Sequence, residues 1–206
     1  PVAFTLTFGE AITLGILCDY EVSIIATKTD AQADFIAERA YVLKDGDTVM
    51  DAQTFATVEA VKQVYAAGGR KMFMYMNRKE TARRMAAQIN NEHTLPGADY
   101  VLGDMPAKLR EININKLHRP EGHILTNVRC LNEGVDFPAL DTVVFTDPKS
   151  SPVDIAQAVG RVLRTAKPEG KTKGRIVIPV AVSAENWEAG ELSEEERETA
   201  MSGPSP

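Results

Sequence analysis

Hydrophobic and polar positions fall along this chain in blocks that switch between two periods. Phe55, Val58, Val61, Val64 and Tyr65 recur at three- and four-residue spacing, which predicts a helix over residues 53–67 closed by Gly68-Gly69. Similar spacing predicts helices over 78–90, 107–117 and 152–163, the last opened by Ser150-Ser151-Pro152. Between them lie short apolar runs that read as strands: 21–27, 71–76, 99–102, 123–126, 142–146 and 175–182. Phe8, Ile12, Leu14 and Leu17 outline a short amphipathic helix near the start. Residues 31–44 read as polar, helical or irregular, and Asp45-Gly46-Asp47 as a turn.

Strands alternating with helices predict an α/β fold in three layers, a mainly parallel sheet covered by helices on both faces. In such sheets ligands gather beyond the carboxyl ends of the strands. The segments that follow 123–126 and 142–146 are therefore both expected on that edge. The domain is expected to span 1–184, with 1–50 as a leading segment and 51–184 as the core. Residues 185–206 form an acidic tail, read as an exposed helix that gives way to disorder.

Composition changes this picture in one respect. The net charge of −6 belongs to the tail, which holds seven of the 29 acidic side chains and one of the 23 basic ones. The body is neutral, so local patches decide its partners. No run is apolar enough for a membrane span and no secretory leader is visible, so the expectation is a cytoplasmic protein without a membrane partner. Cys18 and Cys130 read as buried free thiols of a reducing compartment. His93, His118 and His123 lack zinc-site spacing and read as exposed or loop residues, with no metal assigned.

The chemistry is concentrated in residues 126–164. On the helix over 152–163, Gln157, Gly160, Arg161 and Arg164 share one face. Guanidinium groups are permanently charged and match phosphate oxygens in a planar fork, so Arg161 and Arg164 suit a transferring phosphoryl group. Gly160 allows close approach, and Gln157 offers a bridging amide. A solvated helix face is the plain alternative. In Gly134-Val135-Asp136 the glycine permits backbone approach and the carboxylate suits a ribose hydroxyl or an arginine, although such a tripeptide alone is only a turn. Thr126 at a strand end suits a nucleic-acid phosphate, supported by Asn127 and Arg129, or it satisfies its own backbone. Asn77 and Arg78 suit a phosphate backbone, and a helix cap explains Asn77 equally well. Lys167, Lys171, Lys173 and Arg175 form a basic cluster suited to DNA or to a solvated loop.

The order of these segments resembles motifs V and VI of superfamily 2 helicases and translocases, with 71–78 resembling motif IV. Asn127-Val128-Arg129-Cys130-Leu131-Asn132-Glu133-Gly134-Val135-Asp136 is similar to the bacterial predicted helicases related to restriction enzymes, especially single-chain type I-like restriction–modification translocases. Phe8-Gly9-Glu10-Ala11 and Gly15-Ile16-Leu17-Cys18-Asp19-Tyr20 point the same way. Gln157 stands where DEAD-box RNA helicases carry histidine, which argues against that branch.

The resemblance implies a C-terminal RecA-like motor lobe. Arg161 and Arg164 would act catalytically on ATP, and Gly134, Asp136, Gln157 and Gly160 would bind the nucleotide. Thr126, Asn127, Arg129, Asn77 and Arg78 would contact DNA, expected to be double-stranded. ATP with Mg2+ would be shared with an N-terminal RecA-like lobe of the same parent protein. A GxxxxGK[ST] loop and an acidic magnesium motif are not found in the sequence, so the isolated chain is expected to be inactive. The alternative is a non-catalytic RecA-like module for interaction or regulation. A different nucleotide-dependent enzyme is disfavoured by the lack of a GxGxxG segment and of a nucleophile triad.

Overall fold

A computed structural model describes residues 6–29, 41–44, 48–128, 137–147, 152–166 and 170–189. After a short helix α1 (Phe8–Thr13), six strands form one sheet: β1 (Asp19–Thr29), β4 (Lys71–Tyr75), β5 (Ala98–Val101), β6 (His123–Asn127), β7 (Thr142–Phe145) and β8 (Lys173–Ser183). Their spatial order is β1-β8-β7-β4-β6-β5, and every pairing is parallel. Parallel neighbours require crossovers over the faces, which the helices supply. These are α2 (Ala52–Ala66), α3 (Lys79–Asn90), α4 (Ala107–Asn115) with a 3-10 turn at Lys116–His118, and α5 (Pro152–Val162).

Alternation along β4 separates the two cores. Met72, Met74 and Met76 face α2 and α3, packing with Val58, Val61, Val64, Met85 and Ile89. Phe73 and Tyr75 face the other way, towards Leu117 and the Ala158, Val159, Val162, Leu163 side of α5. Covered on both faces, β4 has no polar face to show, which explains its unbroken apolar run.

Two glycines are required by close approach. Gly122 has φ +93°, and a Cβ there would fall 2.3 Å from the Arg70 carbonyl oxygen, so the chain can enter β6 beside β4 only without a side chain. A Cβ on Gly174 would sit 2.7 Å from the Val162 carbonyl oxygen, so its absence lets the end of α5 lie against β8.

Several expectations change. Residues 41–44 are not helical or irregular: β2 (Tyr41–Lys44) pairs antiparallel with β3 (Thr48–Asp51). Val42 and Leu43 suit a strand, and their partners lie across a short connection. The remainder of 31–40 and the 45–47 turn lie outside the described residues. Asn77 does not cap α3: the capping position is Arg78, which makes no side-chain cap bond. His123 is a buried strand residue, 2% exposed, whose Nε2 lies 2.8 Å from Asp99 Oδ2. Lys116 Nζ reaches the same oxygen at 2.6 Å. Burial holds the His123 pKa below its usual value against the pull of Asp99. Cys18 is buried, and desolvation pushes its thiol pKa up; Cys130 lies outside the described residues. Of the tail, a short helix α6 (Ala184–Ala189) is described and the rest lies outside.

Candidate functional site

The carboxyl edge of the sheet gathers the ends of β4, β6 and β7. Asn77 and Arg78 follow β4 and are exposed there. The backbone N–H of Asn77 donates to Asp147 Oδ2 at 2.8 Å, so a buried carboxylate just after β7 fixes the turn that presents them. No motif singled out Asp147. The available signal was an acid directly after an apolar strand, before Pro148.

Thr126 and Asn127 belong to the interior of this edge, both fully buried. The Thr126 hydroxyl donates to the Ala82 carbonyl at 2.8 Å, tying β6 to α3. The Asn127 side-chain amide donates to the Met74 carbonyl at 3.0 Å. Its Oδ1 is buried without a hydrogen-bond partner among the described residues. An acceptor does not attract a phosphate oxygen, so that atom offers nucleic acid nothing directly. Arg129, Gly134 and Asp136 lie outside the described residues.

α5 separates its faces clearly. Ala158, Val159, Val162 and Leu163 are buried against the sheet. Gln157 and Arg164 are exposed, and Gly160 and Arg161 are half-buried between them. Gln157, Gly160 and Arg161 share one stripe of α5 at helical spacing, whereas Arg164, expected on the same helix, follows its end at Val162 and bridges to Leu17. A Cβ built on Gly160 would meet no atom within 4 Å. The glycine is therefore not needed for packing within the described chain. Tyr75, buried beneath this helix and stacked on Phe145 at 5.6 Å, has a hydroxyl whose pKa desolvation pushes up to about 12, while the nearby Arg161 charge draws it down in part.

The stripe does not lie wholly at the carboxyl edge, where both segments were expected. α5 runs back across the sheet, and its 11 residues extend about 16 Å. Its far end reaches the amino edge: Arg164 bridges to Leu17, and the Cys18 N–H donates to the Leu163 carbonyl at 2.8 Å, just ahead of β1. Lys171 Nζ donates to the Arg164 carbonyl at 2.6 Å and to the Pro138 carbonyl at 2.9 Å. One side chain thus joins the end of α5 to the segment entering β7, a connection the sequence pattern did not indicate. Among the described residues no group of three or more His, Cys, Asp or Glu could hold a metal ion. No described helix is long and apolar enough to cross a membrane.

A six-stranded parallel sheet, covered on both faces and carrying an arginine helix after β7, defines a RecA-like motor-lobe fold. The helicase conserved C-terminal domain matches residues 56–166, and the chain belongs to that family. It is 26% identical over 189 residues to a probable helicase of African swine fever virus, covering 90% of this chain and 20% of that one. The chain spans between 17% and 29% of the length of the first curated relatives it matches. Among solved structures it is similar to the ATP-dependent type ISP restriction–modification enzyme LlaBIII bound to DNA. That likeness has a TM-score of 0.74 and 25% identity, with 97% of this chain and 14% of that one covered. A fragment of a putative HsdR subunit of a type I restriction enzyme from Vibrio vulnificus shares the fold, with a TM-score of 0.63, 19% identity, and 88% of this chain and 39% of that one covered.

Proposed function

We propose that this chain is the second motor lobe of an ATP-dependent DNA translocase or helicase, working with an N-terminal RecA-like lobe of the same parent protein. The observation that carries the reading is the α5 stripe. Gln157, Gly160 and Arg161 on α5 and Arg164 just past its end lie off the sheet-facing side, with open space over Gly160, while Ala158, Val159, Val162 and Leu163 are buried.

Two guanidinium groups presented away from the sheet fit the polyphosphate of ATP, whose cleavage supplies the driving free energy. Arg161 and Arg164 neutralise charge developing on the transferring phosphoryl group, and Gly160 keeps the approach clear. Gln157 bridges from the same face, and Gly134 with Asp136 complete the nucleotide contacts. With no cluster of metal ligands among the described residues, Mg2+ is expected to be held from the other lobe. On this reading the isolated chain hydrolyses no ATP.

Duplex DNA is assigned to the carboxyl edge. Asn77 and Arg78 are exposed there and contact the backbone, and Arg129 is assigned the same role. Thr126 and Asn127 act from within by holding β6 to α3 and β4. The likeness to a restriction–modification enzyme bound to DNA supports DNA over RNA, as does Gln157.

The test is ATP hydrolysis by the parent protein, with and without duplex DNA, for wild type, Arg161→Ala and Arg164→Ala. A DNA-stimulated rate that falls about a hundredfold or more in the variants is expected. Unchanged rates in folded variants would leave the non-catalytic module as the function.

A further inference from the structure

A concave cleft of about 360 Å3 opens at the amino edge of the sheet, away from Asn77 and Arg78. Four segments that each lead into a strand line it: 68–71 before β4, 118–120 before β6, 139–141 before β7 and 170–175 before β8. Among the described residues they contribute six cationic side chains, Arg70, Lys71, Arg119, Lys171, Lys173 and Arg175, and a single carboxylate, Asp141. This is an unexpected concentration in a chain whose body is neutral.

Asp141 offsets only one of the six charges. Its oxygens accept the backbone N–H groups of Arg70 at 3.1 and 3.0 Å and of Lys71 at 3.1 Å, together with the Thr142 hydroxyl at 2.7 Å. It organises the floor by joining β4 to β7. Glu21, outside the lining, pairs with Lys173 and with Arg175 Nε at 3.3 Å, but these groups are partly solvated and such pairs are weak. Arg70 lies over the Tyr65 ring at 4.2 Å and Arg175 donates to the Ala67 carbonyl at 3.2 Å, so several of the cations are held in place. Gathering like charges in a concavity is unfavourable unless an anion enters it, and concave walls strengthen the field an anion meets. The volume lies at the small end of the roughly 300–1,000 Å3 range of ligand sites.

We propose that this cleft is a second anion site, which binds a phosphate-bearing ligand between the 118–120 turn and the 170–175 approach to β8. Its source is either a nucleic-acid backbone or a free polyphosphate. The site is not a nucleoside-triphosphate loop: Gly170-Lys171-Thr172 opens a strand rather than a helix, and position 165 is threonine where such a loop needs glycine. The inference goes beyond the motor-lobe reading, because none of its residues belongs to the α5 stripe and its test involves no hydrolysis.

The test titrates this chain with tripolyphosphate and, separately, with a short DNA duplex. Wild type is compared with Arg119→Gln, with Arg119→Gln/Lys173→Gln, and with Lys79→Gln as a cation outside the cleft. Circular dichroism and the thermal midpoint confirm folding, and Arg119→Gln alone changes only an exposed turn residue. Affinity for tripolyphosphate is expected to fall about tenfold or more in the double variant and to hold in Lys79→Gln. If duplex affinity falls with it and the salt slope drops by about two, the ligand is a nucleic-acid backbone. If duplex affinity is unchanged, it is a free polyphosphate. Absence of binding in wild type, equal affinities across all variants, or an equal loss in Lys79→Gln would overturn the site.

Discussion

The backbone N–H of Asn77 and the carboxylate of Asp147 meet at 2.8 Å across the carboxyl edge, 70 residues apart in sequence. The bond locks the turn after β4 to the turn after β7, and Arg78 and α3 start from that turn. Replacing Asp147 with Ala leaves this N–H without its carboxylate partner beside a buried position. Stability is expected to fall by about 1–3 kcal/mol, read as a lower urea midpoint. Duplex binding through Asn77 and Arg78 should weaken with it, as the turn loosens.

Gly160 separates stability from activity. It sits in the interior of α5 with open space around its Cα, so alanine is accommodated and favours the helix by about 1 kcal/mol. Gly160→Ala is expected to unfold at equal or higher denaturant concentration. In the parent protein the added methyl group stands on the stripe assigned to ATP, and hydrolysis should drop. A variant that is both as stable and as active as wild type would show that nothing approaches this helix closely.

Thr126→Val tests whether this residue acts on DNA or within the fold. Its hydroxyl is buried and donates to the Ala82 carbonyl at 2.8 Å. Loss of that bond should cost about 1 kcal/mol, with duplex affinity of the parent protein unchanged. A large affinity loss at intact stability would put Thr126 in direct contact with phosphate.

His123 makes stability depend on pH. Burial lowers its folded-state pKa below the ordinary 6.5, so the unfolded chain takes up a proton before the native one does. The stabilisation is complete above the unfolded pKa and is lost as pH falls through the folded value. Nδ1 has no hydrogen-bond partner among the described residues, so a second ring proton would be buried without an acceptor. Between pH 7.5 and 5, denaturant midpoints of wild type should fall more steeply than those of His123→Gln. Parallel curves would show that this imidazole does not set the acid response.

The six sheet strands and the four main helices were legible from periodicity because each is locally consistent. The Met72, Met74, Met76 and Phe73, Tyr75 alternation needs two covered faces, and Pro152 and Gly68-Gly69 punctuate the helices. The shared face of Gln157, Gly160 and Arg161 was equally legible from helical spacing, but Arg164 falls past the end of α5, where its bridge to Leu17 ends the helical pattern. Local pattern could not reveal pairings between distant segments. His123 looked like a loop residue because its partner Asp99 lies on a neighbouring strand. Thr126 looked available because nothing nearby in sequence marks the Ala82 carbonyl as its acceptor. Residues 41–44 were missed because a short strand is defined by its partner as much as by its own composition.

By itself the sequence determined the layers, the order of elements and the face of α5 that carries Arg161, since these follow from side-chain periodicity and chain chirality. Only the tertiary structure decided which edge each group occupies. Because α5 runs back across the sheet, Arg164 ends beside Lys171 at the amino edge rather than near Asn77. The same packing gathers six cations, scattered from Arg70 to Arg175, into one cleft, because every parallel strand begins on the same side.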